Sequence, residues 1–405
     1  MRVLFIVPYM PNAIRTRPYN LIRALAKNGH EITLLTLTQE PAEILDAEVL
    51  KDGGTRVIAR SLSRARALSN CALGLFGREP IQAAYCWQPS LAADLSALLR
   101  DEAFDVVHVE HLRGARYALR AKAELAKRGT RTPVVWDSVD CISHLFRQAA
   151  LQSTSHFSRH IARLELPRTE QFEAELLNEF DQVLTTSPVD RDAFRKLANS
   201  RYDAMAPIEV LPNGVDTAIF KPGEDQFSRP ASIILTGKMS YHANITMALF
   251  LVKEIMPLIW ASRPRVTVLI VGKDPAAEVR ALAADARVIV TGTVPDVRYY
   301  LNQATIAMAP IVYNAGIQNK ILEAMACGTP VVTTPAAVAG LGVQPGKHLL
   351  AVDGVEALAE AALCLLESPA KRKMQSEAAL AFVHEHHNWL VIAGRLATIY
   401  DSLRS

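Results

Sequence analysis

Short apolar runs that alternate with helical segments constrain the fold of this chain most strongly. Residues 3–7 are a continuous apolar run, and residues 106–109 and 232–236 are mainly apolar, which is typical of strands buried on both faces of a parallel sheet. A helix after the first run is predicted to begin at Pro18 and to end before Gly29, because helix termini favour these residues. Such alternation predicts an α/β fold of the doubly wound class.

The alternation stops at a turn-rich segment, residues 207–222, and then begins again. A chain of 405 residues is also long enough for two domains. We therefore predict a Rossmann-like domain over residues 1–206, a second over residues 207–388 and a final helix over residues 389–405. Ligands of such sheets bind beyond the carboxyl ends of the strands, so we expect two facing domains with an interdomain cleft.

Composition excludes several classes of partner and site. The formal net charge of +3 is too small for a protein whose main partner is nucleic acid. The five cysteines are scattered, and none forms a CxxC pair, which indicates reduced thiols and neither a disulfide framework nor a zinc site. No apolar run approaches the roughly 18 residues that span a bilayer, so we expect a cytoplasmic location.

The segment 317–332 carries the clearest functional pattern. It predicts a helix from Asn319 to Gly328, followed by a buried strand. A helix N-terminus directs free N–H groups and a partial positive charge at an anion. Lys320 suits a phosphate and Glu323 suits a ribose diol, which together fit a nucleotide-sugar. The alternative is an amphipathic helix with a solvated Lys/Glu pair.

The stretch LEAMACGTPVV, Leu322 through Val332, resembles the donor-site helix of retaining GT-B glycosyltransferases of family 4, of the bacterial cell-surface polysaccharide type. The turn at residues 213–216, NGVD, is similar to a turn that the same family carries between its domains. The resemblance covers the second domain well and the first loosely. It implies the GT-B fold, with the final helix returning to the first domain.

The resemblance also implies an activity. The expected reaction transfers a sugar from a UDP- or GDP-sugar to a hydroxyl of a glycan or lipid-linked glycan, with retention. Neither a metal nor another cofactor is expected. Two alternatives remain open, an epimerase of nucleotide-sugars on the same fold and a subunit that binds a nucleotide-sugar without catalysis. A dehydrogenase is not predicted, because no GxGxxG follows the first strand.

Donor-site residues follow from the resemblance. Gly237 and Lys238 match a glycine and a basic residue that contact the donor diphosphate in relatives. Many relatives place a second lysine six residues later, where this chain has Asn244. We therefore expect Lys320 to supply the missing charge, with Lys238 and Lys320 as catalytic residues.

Further donor contacts come from two loops. Glu323 matches the second glutamate of the family's E-x7-E pattern, whereas the first position holds Ala315, a departure that favours the non-catalytic alternative. The backbone of Gly316, Ile317 and Gln318 is expected to face the diphosphate or the sugar. Val294 is expected to contact the base, in a loop where Asp296 alternatively serves only to cap a helix.

In the first domain, residues that follow strands are the candidates. Arg15 and Arg17 form an expected donor anion site, or else solvated loop charges. The resemblance suggests His111 as a catalytic contact to the donor sugar, although strand histidines are often structural. Asp137 and Asp140 are expected acceptor ligands, with helix capping as the alternative.

Two further sequence patterns concern a metal site and a membrane contact. The run at residues 384–387, HEHH, does not have HExxH spacing, so it predicts a polar helix end and no metal site. Arg60, Arg64, Arg66 and Arg78 lie among leucines, which predicts either a solvated face or peripheral contact with an anionic membrane on its cytoplasmic side.

Overall fold

The structure is a computed structural model that describes residues 1–13, 15–152, 156–199, 205–223, 231–311 and 318–404. The chain divides into two compact units. The first unit comprises Met1–Pro212 and Ile392–Ser405, and the second comprises Asn213–Val391. The boundaries predicted from the sequence, 206/207 and 388/389, lie a few residues before those of these units.

The first unit contains a parallel sheet of seven strands within the described residues. Its strands are β1 (Arg2–Val7), β2 (Glu31–Thr38), β3 (Arg56–Ser61), β4 (Val106–Glu110), β5 (Val134–Val139), β6 (Gln182–Thr185) and β7 (Ile208–Val210). Their order in the sheet is β3-β2-β1-β4-β5-β6-β7. The order reverses direction at β1, so β1 and β4 flank the position where ligands of doubly wound sheets bind.

Helices cover this sheet. They are α1 (Thr16–Lys27), α2 (Glu43–Asp52), α3 (Arg64–Gly74), α4 (Ile81–Tyr85), α5 (Pro89–Asp101), α6 (His111–Arg128), α7 (Ile142–Gln152), α8 (His156–Glu179) and α9 (Pro188–Asn199). The central strands are fully buried, as in β1, where every residue after Arg2 is inaccessible to solvent. Burial on both faces explains why these strands are mainly apolar.

The second unit repeats the arrangement with six parallel strands among the described residues. They are β8 (Ser232–Thr236), β9 (Thr267–Val271), β10 (Val288–Gly292), β11 (Ile306–Ala309), β12 (Val331–Thr333) and β13 (Leu350–Ala351). The order is β10-β9-β8-β11-β12-β13, with the reversal at β8. Two Rossmann-like domains of parallel sheet, the predicted fold class, are confirmed.

The helices of the second unit complete the chain. They are α10 (His242–Phe250), α11 (Met256–Ser262), α12 (Ala277–Ala281), α13 (Val297–Gln303), α14 (Asn319–Ala326), α15 (Pro335–Val338), α16 (Val355–Glu367), α17 (Pro369–His386) and α18 (Trp389–Arg404). From Ile392 onward, α18 belongs to the first unit. Its Tyr400 is completely buried there.

One helical stretch has the length and hydropathy of a membrane span, among the residues that the structure describes. It is His242–Ser262, in which α10 and α11 are joined by the π-helical turn Leu251–Ile255. Leu251, Ile255 and Ile259 of this stretch are fully buried in the hydrophobic core of the second unit. Core helices of soluble proteins also satisfy such a test, so this stretch is weak support for a membrane span.

Candidate functional site

A pocket of about 460 Å³ lies at one edge of the second sheet. The residues that line it come from the ends of β8 and β9, from the loops after β8, β9 and β10, and from the first turns of α10, α13 and α14. They are Thr236, Gly237, Lys238, Asn244, Val271, Gly272, Lys273, Thr293, Val294, Val297, Asn319, Lys320 and Glu323. The carboxyl ends of parallel strands meet at one edge, and this is where ligands of doubly wound sheets bind. The pocket therefore unites five residues predicted as donor contacts.

The floor of the pocket requires two glycines. Gly237 and Gly272 have φ angles of +151° and +155°, which side-chain-bearing residues rarely adopt. A Cβ atom added to Gly272 would lie 1.7 Å from the carbonyl oxygen of Gly237. The residues that follow β8 and β9 therefore lie too close together for a side chain at Gly272. The pocket is lined by backbone at this place.

Lys320 and Asn244 join two sides of this pocket. The Nζ atom of Lys320 donates a 2.7 Å hydrogen bond to Oδ1 of Asn244. The amide of Asn244 in turn donates a 3.0 Å hydrogen bond to the carbonyl oxygen of Lys238. Burial lowers the pKa of Lys320 to about 8, and the charge of Glu323 opposes this shift. The ammonium group is thus held beside the position where many relatives carry a second lysine.

Glu323 faces the same pocket from the next turn of α14. Burial raises its pKa to about 7, and the charge of Lys320 opposes that shift. A half-buried carboxylate of this kind is stabilised when ligand hydroxyls donate hydrogen bonds to it. Its placement fits the proposed ribose contact.

Two further residues of the pocket were not predicted from the sequence. Lys273 lies two residues after the end of β9 and brings a third lysine to the lining, beside Lys238 and Lys320. Oδ1 of Asn319 is buried and has no hydrogen-bond partner in the described part of the chain. The signal for Lys273 was available, because polar residues at the carboxyl end of any strand of the sheet are candidates.

The other predicted donor contacts have different outcomes. Val294 lines the pocket, while Asp296 caps α13 by accepting a hydrogen bond from the backbone N–H of Arg298, as the alternative anticipated. Gln318 stands at the N-cap of α14. Gly316 and Ile317 lie outside the described residues, so their expected contacts stay predictions.

Arg17 and Asp137 are paired with each other in the interior of the first unit. Nε and Nη2 of Arg17 lie 2.9 and 2.7 Å from Oδ2 of Asp137, and both side chains are buried. Nη1 of Arg17 also donates to the carbonyl oxygens of Leu211 and Pro212. The structure thus gives Arg17 and Asp137 structural partners, and nothing in their geometry favours the predicted ligand roles.

His108 extends this buried network. Its Nε2 lies 3.6 Å from Oδ2 of Asp137, and its Nδ1 lies 2.8 Å from the hydroxyl of Tyr400. Burial lowers the pKa of His108, and the hydrogen bond with Asp137 opposes this shift. A neutral ring satisfies both contacts, with Nδ1 as acceptor and Nε2–H facing Asp137.

His111, Asp140 and Arg15 occupy separate surroundings in the first unit. His111 has a φ of +63°, its Nδ1 accepts a hydrogen bond from the N–H of Arg113, and burial lowers its pKa to about 3. Burial raises the pKa of Asp140 to about 6, and the charge of Asp190 adds to this. Arg15 forms an ion pair of 2.9 Å with Glu43. These placements leave their expected roles as predictions.

The NGVD turn is bound to a distant part of its own unit. The backbone N–H of Val215 donates to the carbonyl oxygen of His387, and Nδ1 of His387 lies 2.8 Å from the carbonyl oxygen of Asn213.

Among the described residues, no group of three or more His, Cys, Asp or Glu side chains is placed to hold a metal. The run at residues 384–387 lies at the end of α17, as the predicted polar helix end, with residues 384–386 exposed and His387 buried.

Family models match both units. Residues 12–214 match the model described as Glycosyl transferase 4-like domain. Residues 230–368 match the model described as Glycosyl transferases group 1. The first match alone covers half of the chain, and together the two leave residues 1–11, 215–229 and 369–405 unmatched.

Individual proteins of known sequence or structure are also similar. The D-inositol 3-phosphate glycosyltransferase of Acidothermus cellulolyticus is 28% identical over 255 residues, which are 57% of this chain and 55% of that protein. The chain spans about half the length of the curated relatives it matches.

Solved structures resemble the whole chain. The sucrose-phosphate synthase of Thermosynechococcus elongatus has a TM-score of 0.68 and 17% identity, with 100% of this chain and 99% of that chain covered. HepE of Anabaena, solved in complex with UDP, has a TM-score of 0.67 and 16% identity, with 99% and 100% covered. At such identities, these likenesses show the fold.

Proposed function

Because this chain belongs to the group 1 glycosyltransferases, we propose that it transfers a sugar from a nucleoside diphosphate sugar to a hydroxyl of a glycan or lipid-linked glycan. The observation that carries this proposal is the pocket at the edge of the second sheet. It presents Lys238 and Lys320 for a diphosphate and Glu323 for a ribose, on a floor of backbone. This combination matches the charges and hydroxyls of a nucleotide-sugar.

The proposed chemistry uses the pocket to stabilise the leaving group. The bond between the anomeric carbon of the sugar and the diphosphate oxygen breaks, and a bond forms between that carbon and the acceptor oxygen on the same face. The acceptor proton passes to the departing diphosphate. Lys238, Lys320 and the N-terminus of α14 stabilise the charge that develops on the diphosphate. Attack on the same face gives retention of the anomeric configuration, and we propose in addition that the reaction needs no metal ion.

Uridine is the first base to test. HepE, which shares the fold, has been solved with UDP and with UDP-glucose. In this chain, the proposed base contact is Val294. It lines the pocket from the loop between β10 and α13 and packs against the core of the second unit. A GDP-sugar is the alternative donor.

Thermal unfolding with single nucleotides tests the donor site. UDP, GDP, TDP and NAD are each added alone, and a ligand at 100 times its Kd stabilises by about 2.7 kcal/mol. We expect a raised Tm with one nucleoside diphosphate, and loss of that shift in Glu323→Gln. The proposal is contradicted if only NAD raises the Tm, or if none of the three nucleoside diphosphates does.

A second experiment separates transfer from epimerisation and from simple binding. For a transferase, we expect UDP to be released from a UDP-sugar only when an acceptor is present.

We also propose a cytoplasmic location with peripheral contact to an anionic membrane. The support is an apolar patch at the end of α3, formed by Leu68, Leu73, Leu75 and Phe76. These side chains are 54% to 93% exposed, and the exposed Arg64, Arg66 and Arg78 flank them in sequence. Arg60 is excluded from the patch, because it lies on β3 and pairs with Asp94. Exposed apolar residues with flanking cations suit an anionic lipid surface.

Co-sedimentation with vesicles of anionic phospholipid at low salt tests this contact. We expect the wild type to bind and Phe76→Ser to bind markedly less. Leu45→Ser is the matched control, since Leu45 is 71% exposed on α2, outside the patch. Membrane contact through this patch is contradicted if all three proteins sediment equally with the vesicles, or if none of them sediments.

A further inference from the structure

A second pocket, of about 210 Å³, lies in the first unit. It is lined by residues that follow β1 and β2, by one face of α4 and by the first turn of α6. They are Pro8, Tyr9, Arg15, Gln39, Ile81, Gln82, Tyr85, Cys86 and Arg113. It sits at the carboxyl edge of the sheet, beside the reversal of strand order, as the donor pocket does in the second unit. None of the predictions from the sequence includes Arg113.

Arg113 is the unusual member of this pocket. It takes part in no ion pair within the described chain, and its Nε is buried without a hydrogen-bond partner. Its guanidinium lies 5.9 Å from the centre of the Tyr85 ring. The side chain as a whole is half-buried, and a buried N–H donor without an acceptor is costly unless a ligand supplies one. An anion in the pocket would provide both a countercharge and an acceptor.

Arg15 brings a second guanidinium to the same pocket. Its side-chain hydrogen bonds in the described chain both leave from Nη1, to Glu43 and to the carbonyl oxygen of Met10. The guanidinium lies 5.1 Å from the centre of the Tyr9 ring. Arg15 and Arg113 therefore line one cavity, each against an aromatic ring, and only Arg15 has a carboxylate partner.

The acidic groups near the pocket do not cancel this charge. Glu43 offsets Arg15 alone. Glu110 accepts a 2.8 Å hydrogen bond from the hydroxyl of Tyr9, and burial raises its pKa to about 8, so it is largely protonated at neutral pH. Burial also raises the pKa of the Cys86 thiol to about 11. One positive charge is thus left over, on Arg113.

We infer that this pocket binds a phosphate or diphosphate group of the acceptor, with Arg113 as its principal ligand and Arg15 as the second. Guanidinium groups offer paired N–H donors that match phosphate oxygens, whereas a neutral sugar needs no such charge. The assignment of this anion to the acceptor rests on the proposed function, because the pocket by itself indicates only an anion site. The acceptor is either a free sugar phosphate or the headgroup of a lipid-linked one.

Calorimetric titration with inorganic pyrophosphate tests the site. The full chain is first saturated with UDP, so that the pocket of the second unit is occupied. We expect Arg113→Gln to lower pyrophosphate affinity by at least about tenfold and Arg113→Lys to lower it less. Arg120→Gln is the matched control, because Arg120 lies on the same helix and pairs with the half-exposed surface carboxylate of Glu124. Thermal unfolding of each variant shows that it is folded.

Two arms of the experiment identify the source of the phosphate. Phosphatidylcholine vesicles with and without phosphatidic acid present a lipid headgroup, and glucose 1-phosphate presents a free one. Vesicle binding that requires phosphatidic acid and is lost in Arg113→Gln assigns a lipid-linked acceptor. Binding of glucose 1-phosphate that is lost in the same variant assigns a soluble acceptor.

Equal pyrophosphate affinity of wild type and Arg113→Gln overturns the inference, as does the absence of binding to the wild type. UDP binding, measured separately, reports on the proposed function. If UDP binds and Arg113 has no effect, the acceptor inference fails alone. If UDP does not bind and pyrophosphate still requires Arg113, the proposed transfer fails while an anion site remains.

Discussion

Lys320 donates its hydrogen bond to Asn244 across 76 residues of sequence, from the first turn of α14 to the first turn of α10. The contact places a cation beside the loop that follows β8, where the proposed diphosphate would lie. The side chain of Asn244 is uncharged, but its hydrogen bond holds the ammonium group of Lys320 next to position 244. Lys238 and Lys320, which come from different elements, are thus two of the three lysines that line this pocket, and Lys273 is the third.

Replacing Lys320 by alanine should weaken UDP binding by about tenfold or more. A hydrogen bond between charged groups contributes about 1.5–3 kcal/mol, and 1.4 kcal/mol corresponds to a tenfold change in affinity. Calorimetric titration of UDP measures the effect. Lys253→Ala, at an exposed position of the π-helical turn, should bind UDP as the wild type does. Unchanged affinity in Lys320→Ala contradicts the proposed role.

The affinity for UDP should fall as the pH rises above about 8. The pKa of Lys320 is lowered to about 8 in the free protein by burial, so a growing fraction must take up a proton before it can pair with a diphosphate. Affinity should then decrease by up to about tenfold per pH unit above that pKa. Lys320→Arg keeps its charge in this range, so its affinity should not fall. Parallel curves for the two proteins would show that another group controls binding.

Removing the hydroxyl of Tyr400 should destabilise the first unit. In Tyr400→Phe, Nδ1 of the buried His108 loses its 2.8 Å partner, and an unsatisfied buried acceptor costs about 1–3 kcal/mol. Urea-induced unfolding followed by circular dichroism measures the loss. Tyr299→Phe, at a ring that is 62% exposed, should change the free energy of unfolding by less than about 0.5 kcal/mol. Equal stability of both variants would mean that α18 is not held through this contact.

An alanine at Gly272 should be far more damaging than one at Gly346. Its Cβ would lie 1.7 Å from the carbonyl oxygen of Gly237, a backbone atom that cannot move aside, so we expect a loss of about 3 kcal/mol or more. Gly346 also has a positive φ, +85°, but nothing lies within 4 Å of its would-be Cβ. Its variant should lose only about 1–2 kcal/mol. Similar midpoints of urea unfolding for the two variants would contradict the close approach of the strand ends.

The parts of the fold that depend on local sequence were predictable. The strands β1, β4 and β8 coincide to within one residue with the predicted runs 3–7, 106–109 and 232–236, since burial on both faces requires mainly apolar runs. The helix α14 begins at Asn319 as expected, and Gly328 follows it with a φ of +69°, as predicted from the preference of helix ends for glycine. Local pattern and tertiary structure agree at these elements.

Three strands at sheet edges, β3, β7 and β13, are not predicted from the sequence. The strand β3 was missed because its sequence, RVIARS, is polar and its residues are half-buried or exposed, so it lacks the apolar run that identifies a central strand. The strand β13 is two residues long and β7 is three. Strands at the ends of a sheet need neither length nor apolar faces, because only one neighbour covers them.

Pairing between distant residues also could not be read from the sequence. The position of Arg17 after β1 and of Asp137 on β5 predicts that both lie near one edge of the sheet. Each of these side chains could contact a ligand or pair with the other. Which of the two occurs depends on packing between residues that are 120 positions apart in sequence. In the second unit, the spacing indicated that Asn244 stands at the place of a lysine, but only the structure shows which lysine it contacts.

A lysine introduced at position 244 should rescue the loss of Lys320. Asn244 lies close to the backbone of Lys238, with a 3.0 Å hydrogen bond to its carbonyl oxygen, so a longer side chain from this position can reach the same pocket. If the contribution of Lys320 is its positive charge, Lys320→Ala combined with Asn244→Lys should regain most of the UDP affinity that Lys320→Ala loses. Asn244→Gln in the same background supplies length without charge and should not restore binding. Calorimetric titration of UDP on the three variants decides the matter, and equal affinities for the lysine and glutamine variants would show that charge at this position is not what the diphosphate requires.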